Sequence, residues 1–110
     1  MTKNIRDSAQ SYFKIFSEKN INGLREMFDD NVTLRDWEID KQGIENVLKA
    51  NLNIFQNVKT INAIPQNIIS ENNFVFAELK IVINDDELKV VDLIEFNKKG
   101  KIISIKAFKG

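Results

Sequence analysis

The chain has 110 residues, 43% of them hydrophobic, and its 16 Lys plus Arg balance its 16 Asp plus Glu. That length accommodates one hydrophobic core and not a second, and the neutral balance lacks the basic excess of a nucleic-acid binder. Cysteine and histidine are absent, which removes disulfides, thiolate nucleophiles, Ser-His-Asp triads, histidine-ligated zinc and imidazole proton transfer.

The first helix is predicted from about Thr2, a candidate N-cap, to Glu18, because Ile5, Ala9, Tyr12, Phe13 and Phe16 recur at helical spacing. Asn20 can cap a short second helix with Leu24, Met27 and Phe28 inward, and Asp29-Asp30-Asn31 breaks it. A strand follows from Val32 to Trp37. Gly43 opens a third helix whose stripe is Ile44, Val47, Leu48, Leu52 and Phe55. From Val58 the apolar period changes to two. Strands are expected over Val58 to Ile69, with Pro65 marking a bulge or an edge, then Phe74 to Ile83, Leu88 to Phe96 and Lys101 to Phe108. Helices packed on one face of an antiparallel sheet make an α+β domain spanning 1–110.

No run approaches the roughly 18 apolar residues of a membrane span. Met1 to Gln10 are polar and mixed in charge, so no signal peptide is expected and a cytoplasmic location is. No cluster has metal-ligand spacing. The run Lys98-Lys99-Gly100-Lys101 reads as a solvated hairpin tip.

Four-residue loops at Asn84 to Glu87 and Asn97 to Gly100 would pair Leu79 with Asp92 and Asp92 with Ile105. One face then collects Val75, Ala77, Leu79, Ile81, Val90, Ile94, Ile103, Ile105 and Ala107, with Asp92 in its middle. A carboxyl group there must be paired, hydrogen-bonded, solvated in a cavity or protonated. It is either a structural acid or a functional one. Asp36 likewise extends the apolar set Val32 and Leu34, and is otherwise a strand-end acid beside a turn. Tyr12 lies on the stripe of the first helix, either as a core aromatic or as a hydroxyl donor into a pocket. The other sheet face carries Lys80, Lys89 and Lys106 among Val91, Leu93 and Ile102, an apolar set able to support a homodimer.

The element order, together with Gln10-Ser11-Tyr12, Val32-Thr33-Leu34-Arg35-Asp36, Gly43-Ile44-Glu45-Asn46-Val47 and Val90-Val91-Asp92-Leu93-Ile94-Glu95-Phe96, resembles the NTF2-like (SnoaL-like) superfamily. Within it, the chain is most similar to ketosteroid isomerases. The resemblance implies a cone-shaped fold, three helices wrapped on a curved antiparallel sheet. It also implies a cofactor-free allylic proton transfer in which Asp36 is the base while Tyr12 and a protonated Asp92 donate to a developing dienolate oxygen, the logic by which ketosteroid isomerase keeps one acid neutral. Trp37 stands where those enzymes usually have proline, and the loop to Gly43 is shorter. The expected ligand is a small apolar carbonyl compound, and Phe16, Val32, Leu34, Leu48, Leu79, Val90 and Ile105 are expected to line its pocket. A non-catalytic binding module and a dimerisation unit are the other readings of the same fold.

Overall fold

The computed structural model describes residues 4–110. Its elements run α1 (Ile5–Ser17), α2 (Ile21–Met27), β1 (Phe28–Arg35), β2 (Asp40–Gln42), α3 (Ile44–Gln56), β3 (Ile61–Glu71), β4 (Phe74–Ile83), β5 (Asp86–Phe96) and β6 (Ile102–Lys109). The expected cap Thr2 lies outside the described residues. Asn4 caps α1, its side chain accepting from the Arg6 amide at 2.8 Å. Asn20 caps α2 as expected, through the Gly23 amide at 2.9 Å. Gly43 begins α3 at φ +87°, ψ 145°, a conformation that glycine alone adopts without strain.

The six strands form one sheet in the order β2-β1-β6-β5-β4-β3. All pairs are antiparallel except β1 with β6, which run parallel. β3 is an edge strand and carries Pro65, and the pairing slips between Pro65 and Asn67. The proline therefore marks both a bulge and an edge, where its missing N–H costs the ladder nothing. β2 is a further strand that the sequence pattern does not announce, because all three of its residues are exposed. β1 begins earlier than expected, at Phe28, and ends at Arg35, one residue before Asp36.

Both expected hairpin registers are displaced. The β4–β5 turn is two residues, Asn84-Asp85, with Asn84 at φ 55°. Asp92 therefore faces Ala77, and Leu79 faces Val90. On the other side Asp92 faces Ala107, and Ile94 faces Ile105. A two-residue displacement leaves every side chain on its face, because the pleat repeats every two residues. The bulge at Glu95/Phe96 acts differently. It pairs Phe96 with Ile102 and Glu95 with Ser104, and the one-residue slip exchanges two isoleucines. Ile102 is fully buried and Ile103 only half-buried. The expectation that Ile103 packs inward and Ile102 outward is thus reversed. A similar exchange occurs on α3, where Leu52 is exposed and Asn51 is buried in its place.

α1 and α3 cover the inner face. Ser17 ties α1 to β3 by donating to the Phe13 carbonyl at 2.7 Å and accepting from the Ala63 amide at 2.9 Å. One half of the sheet is packed solid by Leu24, Phe28, Val75, Ile94, Phe96 and Ile102. The other half is not filled, and the site lies there. Among the described residues no helix is long and apolar enough to cross a membrane.

Candidate active site

The unfilled half of the sheet is a cavity of about 360 Å³ between the inner face, α1 and α3. This is within the range of small-molecule sites, at its small end. Leu79, Ile81 and Ile83 of β4, Leu88, Val90 and Asp92 of β5, and Ile105, Ala107 and Lys109 of β6 form its floor. Tyr12 and Phe16 of α1 and Asn51 and Ile54 of α3 form its roof. Leu34, Asp36, Trp37, Glu38 and Ile39 close one side.

Tyr12, Asp36 and Asp92 all line this one cavity. So do Phe16, Leu34, Leu79, Val90 and Ile105. Val32 and Leu48 do not. Val32 lies one rung deeper along β1 than Leu34, and Leu48 one turn before Asn51 on α3, so both fall in the solid half and are core residues. Arg35 is exposed, outside the cavity, and pairs with Lys106 and Asp40.

Asp92 is at the deep end of the cavity, 7% exposed. Its cross-strand neighbours on both sides are alanines. Ala77 is fully buried in the core, and Ala107 lines the cavity, where its single methyl group takes up little space beside the carboxyl. Burial in this apolar setting, reinforced by the nearby Asp36 charge, pushes the Asp92 carboxyl up to about 7. The Tyr12 phenol is driven well above its usual range, first by burial and then by the Asp92 charge. It is a donor at every physiological pH. Its ring is held by Phe13, Phe16 and Phe28, with centroids 5.4, 6.1 and 6.2 Å away, and Phe16 is braced edge-on by Phe55 at 5.2 Å.

Asp36 is half-buried, just past the end of β1. Its Oδ1 accepts from the backbone N–H groups of Glu38 at 2.7 Å and Ile39 at 2.6 Å, and its own N–H donates to the Ile39 carbonyl at 2.8 Å. The turn thereby fixes the carboxylate plane through one oxygen. At the mouth, the Lys109 ammonium stands 5.8 Å from the centroid of the Trp37 ring.

Two parts of the site escaped sequence reasoning. Trp37, Glu38 and Ile39 belong to a turn without periodicity, and Lys109 enters the cavity because Val90 pairs with it. Asn51 left a trace that could have found it: it stands four residues after Val47 and three after Leu48, where a helix stripe calls for an apolar side chain. Among the described residues no three carboxylates gather closely enough to hold a metal ion.

The chain belongs to the SnoaL-like domain family, which it matches over residues 9–105. Its fold is that of NTF2-like proteins, an α+β arrangement on a curved, unclosed and mainly antiparallel sheet. An NTF2-like protein of unknown function from Cytophaga hutchinsonii superposes with a TM-score of 0.85 at 16% identity, covering 100% of this chain and 93% of that one. A candidate ketosteroid isomerase from Kribbella flavida gives 0.80 at 14% identity, covering 96% and 77%. A candidate SnoaL-like polyketide cyclase from Shewanella denitrificans gives 0.86 at 11%, covering 98% and 92%. At these identities the likeness carries the fold and leaves the activity open. No curated protein matches the sequence.

A carboxyl raised from 3.8 to about 7 binds its proton more tightly in the folded state than in the unfolded one. Its contribution to stability is therefore fully present below pH ~4 and is lost as pH rises through about 7. The loss amounts to about 4 kcal/mol at full ionisation, each pH unit of difference being worth about 1.4 kcal/mol. Asp92→Asn, which mimics the neutral acid, should match the wild type in urea unfolding near pH 4 and exceed it in stability by several kcal/mol near pH 8. Parallel wild-type and variant curves across that range would show that Asp92 is not held neutral.

Proposed function

We propose that the cavity binds a small apolar carbonyl compound and catalyses a cofactor-free allylic proton transfer, in the manner of ketosteroid isomerases. The observation that carries this reading is the sharing of one apolar cavity by a fixed carboxylate, Asp36, and two buried proton donors, Tyr12 and Asp92. Asp36 would remove a proton from the carbon between the carbonyl and the C=C bond of a β,γ-unsaturated ketone. The electron pair moves onto the carbonyl oxygen, giving a dienolate. Tyr12 and neutral Asp92 would donate hydrogen bonds to that oxygen, where the dry surroundings make such donors most effective. Asp36 then returns the same proton to the γ-carbon, and the conjugated enone leaves. Atoms and charge balance without a cofactor.

Two features favour this assignment of roles. The carboxylates differ in surroundings, one half-open and held by amide donors, the other buried on an apolar cavity floor, and such a difference separates a base from an acid. The Asp36 turn also fixes one carboxylate oxygen and leaves the second available to the substrate, so little reorganisation is required. The same two amide bonds also favour a second reading, a binding module in which Asp36 is structural. The Asp92 carboxyl has no hydrogen-bonding side chain or backbone partner among the described residues, and it faces an open cavity; both weigh against it.

We also propose a homodimer formed through the outer sheet face. Ile69, Phe76, Val91 and Phe108 are exposed there. Phe76 lies between Ile69 and Leu93 across the strands, and Val91 beside Phe108, so they form a contiguous apolar patch rather than scattered residues. Ile102, being buried, takes no part.

A small β,γ-unsaturated cyclic ketone, followed by the growing absorbance of the conjugated product, tests the chemistry. Asp36→Asn should slow the reaction by about 10²–10⁴-fold and Tyr12→Phe by about 10²–10³-fold. A rate that survives Asp36→Asn removes Asp36 as the base. Sedimentation equilibrium tests the assembly. The wild type should sediment as a dimer and the double variant Phe76→Lys, Val91→Lys as a monomer; a monomeric wild type would overturn the proposed interface.

A further inference from the structure

Asn51 is the buried polar residue of the cavity that the proton transfer leaves unused. It is 2% exposed, lines the cavity from α3, and its Oδ1 has no hydrogen-bond partner among the described residues. Buried polar atoms are paired in nearly all native structures, and an orphan costs stability that an apolar side chain would avoid. Its neighbours on the stripe, Val47, Leu48 and Phe55, are all apolar and buried. An amide placed among them, facing a space large enough for a ligand, gains a partner when that space is occupied.

The chemistry of the amide narrows what that partner is. Asn presents one acceptor and two donors. A second carbonyl on the ligand would engage the NH2 and leave Oδ1 orphaned. A hydroxyl group both donates and accepts, so it is the smallest neutral group on a hydrocarbon frame that answers both ends of the amide. Asn51 comes from α3, Tyr12 from α1 and Asp92 from β5, so the three polar groups enter the cavity from separate elements.

We propose that Asn51 is a specificity-determining residue that binds a hydroxyl group carried by the ligand away from its carbonyl, so that the preferred ligand is a hydroxylated apolar carbonyl compound. This rests on the assignment of Tyr12 and Asp92 to the carbonyl oxygen, and it adds a second polar anchor to that site. The pocket then reads two oxygen atoms on one hydrocarbon frame. It discriminates strongly against a ligand that lacks the second, because a polar group built to pair is left unpaired.

The test compares 2-naphthol, a flat apolar enol, with the dihydroxynaphthalenes, whose second hydroxyl samples positions around the same frame. Binding is measured by fluorescence titration to the wild type, Tyr12→Phe, Asn51→Leu and Asn51→Ala. At least one diol should bind the wild type about tenfold more tightly than 2-naphthol. That advantage, read as the ratio of diol to 2-naphthol affinity within each protein, should vanish in both Asn51 variants. The inference is overturned if no diol gains over 2-naphthol, or if the gain survives in both variants. If 2-naphthol fails to bind, or binds the wild type and Tyr12→Phe alike, the carbonyl site itself is wrong and the inference falls with it. Binding of 2-naphthol that depends on Tyr12 without any gain from a second hydroxyl sinks the Asn51 inference alone.

Discussion

The Asp92 carboxyl occupies the middle of the sheet face that the helices are there to keep dry. An ionised carboxylate in such a place costs several kcal/mol. The protein meets the constraint in two ways. It lets the group hold its proton up to about pH 7, and it leaves open space beside it, where Ala107 lines the cavity. A larger residue at position 107 would take up part of that space. The emptiness of one half of the sheet and the protonation of Asp92 are thus two consequences of the same local arrangement.

The remaining elements follow from keeping that half open while the rest folds. The solid half, built on Leu24, Phe28, Phe96 and Ile102, carries the packing. The aromatic cluster of Phe13, Phe16 and Phe28 packs around the hydroxyl-bearing ring of Tyr12. β1 delivers Asp36 to the opposite side of the cavity, and the turn to Ile39 orients it through backbone amides. A site made of groups locked by packing and main-chain bonds reorganises little when charge develops, as the proposed proton transfer requires. Asn51 fits the same pattern as a second unpaired polar group on an otherwise apolar wall.

Much of this was legible in the chain, for reasons that explain the rest. Asp92 could be placed on the inner face because sheet faces depend only on parity. The displaced registers therefore misidentified its neighbours, Leu79 and Ile105 in place of Ala77 and Ala107, without turning it outward. The bulge at Glu95/Phe96 changes parity, and there the reading failed: Ile102 and Ile103 exchanged faces. Helix stripes predicted Tyr12 and Phe16 correctly but favoured Leu52 over Asn51, because apolarity was the criterion. Val32 and Leu48 were inward as expected, yet only the third dimension separates the filled half of the sheet from the open one. Gly43 marked the start of α3 because its backbone conformation demands glycine.

The central claim is that one carboxyl group in this cavity stays protonated close to neutral pH because hydrocarbon and a neighbouring negative charge surround it. Carbon-13 NMR titration of the aspartate carboxyls tests it most directly. One resonance should titrate near pH 7, should disappear in Asp92→Asn, and should titrate at lower pH in Asp36→Asn, where the neighbouring charge is gone. A protein in which every aspartate carboxyl titrates below about pH 5, within the ordinary range for folded proteins, would contradict the account.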